Sequence, residues 1–273
     1  MHNGHDLAHL ARIIRIDTLR MIHAAKSSHA GSCLSMADLL AVLYGRVLRI
    51  DAARPDWPER DRFVLSKGHA AAALYAVLAE KGFFPKSWLR TFYQNGSPLA
   101  GHVTHATVPG VEVSTGSLGH GLPLACGMAL AAKRDDRSFR AFALLSDGEC
   151  DEGSTWEAML FSGHQSLDNL VAIVDYNKIQ SIGRVEEVLD LEPFAAKWTA
   201  CRWAVREIDG HDISKIERTL SVLPFEPGKP SCLIAHTVKG KGVSYMEDKL
   251  LWHYRSPSEE DLEIAERELR PVL

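Results

Sequence analysis

Residues 142–177 read FALLSDGECDEGSTWEAMLFSGHQSLDNLVAIVDYN. FALLSD is an apolar run of strand length that stops at Asp147, and GECDEG has the glycines and acids of a turn. STWEAMLFSGHQS then has the length and composition of a helix, and LVAIVDYN is a second strand-like run ending at Asn177. Strand, crossover helix and strand make a βαβ unit whose two strands run parallel. Asp147 and Asn177 therefore fall at the carboxyl edge of one sheet, where open α/β sheets bind their ligands.

The same alternation extends outward. RFVLS (62–66) and SCLIAHT (231–237) are further strand-length runs, and helical patterns cover 70–82, 121–134, 154–166 and 212–223. The first 50 residues read as helical, with Leu7, Leu10, Ile14 and Met21 near helical spacing. Ser35-Met36-Ala37-Asp38 reads as a capping box opening a helix over LLAVLYGRVL. Ser256, Pro257 and Glu259 read as the cap, first-position proline and first-turn acid of a final helix, EEDLEIAERELRPVL. These patterns predict an α/β fold, a mostly parallel central sheet with helices on both faces. No repeat or linker divides the chain, so a single domain over 1–273 is expected.

The turn after Asp147 crowds four acids, Asp147, Glu149, Asp151 and Glu152, around its glycines. Carboxylates facing a pyrophosphate directly would repel it, and the glycines lack the G-x-G-x-x-G order of a dinucleotide site. A divalent cation reverses the sign. Mg2+ takes oxygen ligands, commonly one or two protein groups completed by phosphate oxygens and water. An Asp, an Asn and a diphosphate meet that need, and backbone N–H groups at the helix start can hold the phosphate. Read without that context, Asp147 and Asp151 would simply cap the helix.

Composition excludes other classes. Lys+Arg 31 against Asp+Glu 35 gives a net charge of −4 with dispersed basic residues, so nucleic acid and anionic lipid are not expected partners. No run of about 18 apolar residues suggests a membrane span, and MHNGHDLAHLARIIRIDTLR lacks a signal peptide's apolar block. The five cysteines contain no C-x-x-C pair and read as reduced. A cytoplasmic protein with small-molecule or protein partners is expected.

The D-G-x-x-x-E-G turn, followed about 30 residues on by Asn177, resembles the thiamine-diphosphate motif. Four more segments resemble transketolases: SSHAGSCLSMADLL (27–40), RDRFVLSKGHAAAALYAVL (60–78), VEVSTGSLGHGLPLACGMALA (111–131) and KGKGVSYMEDKLLWH (239–253). The resemblance covers nearly the whole chain and implies the thiamine-diphosphate-binding fold. It implies that Asp147, Asn177 and the Ile179 carbonyl hold Mg2+ (or Ca2+). It places His69, Gly116, Leu118, Gly148, Glu149, Asn177 and His253 at thiamine diphosphate, and His29, His102 and His253 at the reacting sugar. Glu152 resembles the carboxylate that pairs across the family's dimer interface, and is otherwise a first-turn acid favoured by the helix dipole.

The chain departs from the family where Ser146 replaces Gly, where Ser28-His29-Ala30 replaces Gly-His-Pro, and where His120 replaces Gln. The pyrimidine-side glutamate that the chemistry needs lies, in transketolases, on a second domain that this sequence does not contain. The resemblance therefore implies the diphosphate-binding subunit of a split transketolase, active only with a separately encoded C-terminal subunit carrying the pyrimidine and C-terminal domains, in an α2β2 heterotetramer. Ketol transfer between sugars or sugar phosphates is the expected reaction. A 2-oxo acid dehydrogenase α-like or acyloin-forming subunit, and a non-catalytic cofactor-binding scaffold, are the alternatives.

Overall fold

The computed structural model describes residues 4–105 and 108–270. Residues 1–3 and the last three of the expected final helix, 271–273, lie outside the described residues. Ten α-helices are described: α1 (Gly4–Ala25), α2 (Ala30–Ser35), α3 (Ala37–Val42), α4 (Ala71–Glu80), α5 (Gly121–Arg134), α6 (Gly153–His164), α7 (Val185–Val188), α8 (Phe194–Ala200), α9 (Ile213–Leu220) and α10 (Glu259–Glu268). Five strands, β1 (Arg62–Leu65), β2 (Ala141–Ser146), β3 (Leu170–Tyr176), β4 (Ala204–Asp209) and β5 (Ser231–His236), form one sheet in the order β1-β2-β3-β5-β4. Every pairing is parallel.

Both faces of the sheet are covered, which is why the central strands read as continuous apolar runs rather than alternating ones. Phe142, Leu144, Val171, Ile173 and Leu233 pack into the core shared with α1, α3, α4 and α9. Their neighbours Ala143, Leu145, Ala172, Val174 and Ile234 pack into the opposite core, against α5, α6 and α8. Each aliphatic side chain fully buried this way contributes about 1.5–3 kcal/mol. Crossover helix α6 comes so close to the following chain that a β-carbon on Gly163 would fall 1.8 Å from the Cys201 carbonyl oxygen.

Three local expectations are corrected. Ser35 does not cap a helix: its hydroxyl donates to the Ser32 carbonyl and the Asp175 carboxylate, and α3 starts at Met36 with no side-chain cap. Asp38 instead pairs with Arg15 and His211. The final helix is capped two residues later than its proline suggests, by Ser258 in a reciprocal capping box with Asp261. Strand β4 escapes an apolar-run search because Arg206 and Glu207 face solvent and interrupt the run. The cysteines are all free.

Candidate active site

The carboxyl ends of β1, β2, β3 and β5 deliver the functional side chains to one rim of the sheet. Just past β2, Asp147 accepts from the Gly148 N–H at 2.8 Å with one oxygen and from the Lys178 N–H at 2.5 Å with the other, tying the ends of β2 and β3 together. It is 1% exposed. Burial and the nearby Asp175 push its carboxyl up to about 6, so the fold holds a carboxylate there at a cost. Just past β3, Asn177 donates to Asp175 at 3.4 Å, and its oxygen accepts from the Ile179 N–H at 3.2 Å. The Ile179 carbonyl accepts from Lys239 at 2.7 Å, which leaves it a second lone pair.

Asp147, Gly148, Asn177, Ile179, Leu118 and His69 line one cleft of about 280 Å³. His253 and Lys239 line it as well. Carboxylate, amide and carbonyl oxygens are the donor set of a hard cation, and no group of three His, Cys, Asp or Glu residues that could hold a metal occurs among the described residues. Asp151 also lines the cleft, and its Oδ1 is buried without a hydrogen-bond partner.

Four histidines scattered through the sequence meet beside this cleft. The ring centroid of His29 is 5.1 Å from those of His69 and His253 and 5.8 Å from that of His102. His29, His69 and His102 line a second cavity of about 300 Å³, so His69 borders both spaces while His102 borders only the second. Lys239 donates to Nδ1 of His253 at 3.0 Å, which puts that ring's proton on Nε2. Burial, with the neighbouring His102 and lysines, lowers His29 to about 4; burial, with Lys239 and His29, lowers His253 to about 3. Burial also holds His69 well below the usual histidine range.

These rings should stay neutral in acid. At about pH 5.5 an ordinary histidine is roughly nine-tenths protonated, whereas His29 and His253 should show neutral-imidazole ¹H–¹⁵N shifts by NMR. The unfolded chain takes up protons near 6.5 and the folded one does not, so these two rings favour the folded state fully above that value and lose the contribution as pH falls toward about 4 and 3. Ordinary titration of both rings near 6.5 would contradict the packing described.

Two assigned residues stand apart. The Glu149 carboxylate is turned into the protein, where Ser66 and the Gly119 N–H donate to it, so it braces the turn instead of facing the cleft. The physical reason is that the turn must satisfy its own buried amides, and Ser146, where the family has Gly, completes the brace by accepting from the Glu149 N–H. Gly116 lies beside His102: a β-carbon there would come 3.1 Å from that ring. Of the other departures, Ser28 hydrogen-bonds His29 Nδ1 at 3.0 Å, and His120 is exposed with its ring on the Leu118 carbonyl.

Lys239 and the pair Lys67–Asp175 were not singled out from the sequence. Lys239 is 2% exposed, and burial lowers it to about 8. Its signals were its place just beyond SCLIAHT and at the head of KGKGVSYMEDKLLWH; Asp175 announced itself only as an acid inside an apolar strand.

Residues 6–269 match the family model described as "Transketolase, thiamine diphosphate binding domain". The chain is 44% identical over 264 residues to the 6-deoxy-6-sulfo-D-fructose transketolase subunit SqwG of Clostridium sp. (strain MSTE9), covering 97% of this chain and 96% of that one. It is 44% identical over 251 residues to an apulose-4-phosphate transketolase subunit of Phocaeicola vulgatus, covering 92% and 89%. Among solved structures, a transketolase from Campylobacter jejuni superposes with a TM-score of 0.93 at 32% identity, covering 98% of this chain but 43% of that one. The chain thus spans about two-fifths of the solved transketolases it matches and nearly all of the relatives named as subunits.

Proposed function

This chain belongs to the transketolase family as a counterpart of its thiamine-diphosphate-binding part, and from that premise we propose that it is the cofactor- and Mg2+-binding subunit of a two-chain transketolase. The enzyme moves a two-carbon ketol unit from a ketose to an aldose. One observation carries the reading: Asp147, Asn177 and the Ile179 carbonyl converge on a cleft that shares His69 with the cavity holding His29 and His102.

The residues fit the cofactor. Asp147, Asn177 and Ile179 would supply oxygens for Mg2+ (Ca2+ would take the same set), and Gly148, His69 and Lys239, which line the same cleft, would meet the diphosphate. Thiamine diphosphate supplies, when bound, the carbon nucleophile that accepts the two-carbon unit. The chain's own part is to hold that group and to present neutral imidazoles, able to donate or accept, at the sugar. A single diphosphate-binding domain is proposed, with the pyrimidine domain and its glutamate on a complementary subunit in an α2β2 assembly. The two relatives are named for a sulfonated and a phosphorylated sugar; a ketose with an anionic end is proposed here also. No helix of the described residues is long and apolar enough to cross a membrane; a cytoplasmic site of action is part of the proposal.

Reconstitution tests it. The purified chain with saturating Mg2+ and cofactor should show no ketol transfer, and titration with the complementary subunit should restore it near one-to-one. Robust transfer by this chain alone, with host enzyme excluded by mass spectrometry, would overturn the split-subunit reading.

The geometry also divides the histidines. His69→Ala should raise the apparent thiamine-diphosphate constant of the complex tenfold or more, since a hydrogen bond to a charged group is worth about 1.5–3 kcal/mol. His102→Ala should act on sugar kinetics, because His102 borders only the second cavity. Steady-state titrations of cofactor and sugar separate the two, and a cofactor-only effect of both changes would refute the division.

A further inference from the structure

Among the described residues, eight that are not glycine adopt positive φ, and three of them, Lys26 (49°), His29 (73°) and Tyr93 (57°), line the same cavity beside His102. Such conformations carry a cost and gather where function demands them. His29 is accounted for by its place among the four histidines; Lys26 and Tyr93 are not.

Lys26 closes α1. Its N–H donates to the His23 carbonyl at 3.1 Å, and the Ser27 N–H donates to the Ile22 carbonyl at 3.0 Å, the bonding of a helix end whose left-handed residue is ordinarily glycine. The helix dipole favours a cation at this end, but only glycine would relieve the left-handed backbone, so helix termination does not by itself select a lysine. Lys26 is the one lysine or arginine in the cavity lining, no carboxylate lines the cavity, and none pairs with Lys26 among the described residues. The adjoining Ser27 hydroxyl is buried without a partner. Tyr93 is set over Gly101, where a β-carbon would fall 2.5 Å from its ring, and so forms a wall next to His102.

We propose that Lys26 is a specificity-determining residue that selects sugars whose far end carries a tetrahedral anion, a phosphate or a sulfonate. The inference rests on the ketol-transfer reading above and adds a recognition group supplied by this chain. Lys26 recognises a compact anion as a point charge at the end of a flexible stem, while the histidines hold the hydroxyls.

The test uses the reconstituted complex with Lys26→Gly and Lys26→Ala, assayed with a 6-phosphorylated ketohexose, its 6-sulfonated counterpart and an uncharged ketotetrose as donors. KM for one or both charged donors should rise about tenfold or more at low salt with kcat little changed, and KM for the uncharged donor should stay constant. Which charged donor responds identifies the anion. The wild-type KM for that donor should rise with ionic strength, and the variants' should not. Lys26→Gly should also melt a few degrees higher, since glycine relieves the left-handed backbone. Unchanged KM for both charged donors, or an equal rise for the uncharged one, overturns the proposal while leaving ketol transfer intact. A wild-type complex that transfers from no donor overturns the ketol-transfer reading itself.

Discussion

Replacing Asp147 by asparagine should lower ketol transfer by the reconstituted enzyme about a thousandfold or more while changing the stability of the chain far less. The first half follows from charge. Asp147 is the one carboxylate in the proposed set of three metal ligands; an amide keeps the shape but offers a divalent ion far less, and loss of several kcal/mol of positioning and charge stabilisation is several powers of ten in rate. The second half follows from two opposed effects, the cost of holding the acid and the hydrogen bonds the acid accepts. With its carboxyl pushed up to about 6 from an ordinary value near 3.8, the ionised form at pH 7 is disfavoured by folding, and a neutral side chain relieves that. The asparagine NH2, however, cannot accept from one of the two N–H groups, Gly148 or Lys178, that the carboxylate satisfies, and the unpaired donor costs about 1–3 kcal/mol. Mg2+-dependent cofactor binding by calorimetry should weaken in parallel with activity, and the denaturation midpoint should shift only slightly. Near-normal turnover of Asp147→Asn at micromolar cofactor would remove Asp147 from the metal site.

Much of the fold was legible because a two-sided parallel sheet announces itself. The runs at 62–66, 142–147, 170–177 and 231–237 are apolar on both faces since both are covered, and they became β1, β2, β3 and β5. β4 was not legible because the solvent-facing Arg206, Glu207 and Asp209 interrupt its apolar residues, whereas β1, the other edge, is buried along most of its length. The cap at Ser35 misled for a different reason: its hydroxyl is used by Asp175, 140 residues away, and no local pattern records that demand. The histidines show the same divide. His29, His69, His102 and His253 were assigned from motifs, and the fold brings all four together. The inward turn of the Glu149 side chain was not legible, because nothing local says which acid of a crowded turn meets Ser66 and the Gly119 N–H.

Asp175 is where long-range demand is greatest, and Asp175→Ala should destabilise the chain by about 3–5 kcal/mol, a large share of a typical total of about 5–15. Its carboxylate lies 2.5 Å from the Lys67 ammonium, and both side chains are fully buried. Burial works against the charged acid, but Lys67 and the hydroxyls of Ser35 and Thr237 outweigh it and hold Asp175 below the usual carboxylate range. Remove the acid, and an ammonium is left in the core with only the Ser32 carbonyl at 3.0 Å. The double variant Lys67→Met, Asp175→Ala should therefore be more stable than Asp175→Ala alone, since it buries no lone charge. Stability should return without function: Asn177 donates to Asp175, and with that acceptor gone its amide is free to rotate, so the Mg2+ requirement for cofactor binding should rise about 10–100-fold even in the well-folded double variant. Urea midpoints of the three chains and their Mg2+ titrations decide the matter. An Asp175→Ala chain within about 1 kcal/mol of wild type would show the ion pair to be dispensable for the fold, and a double variant with wild-type Mg2+ dependence would show that Asn177 is oriented by its own Ile179 N–H contact.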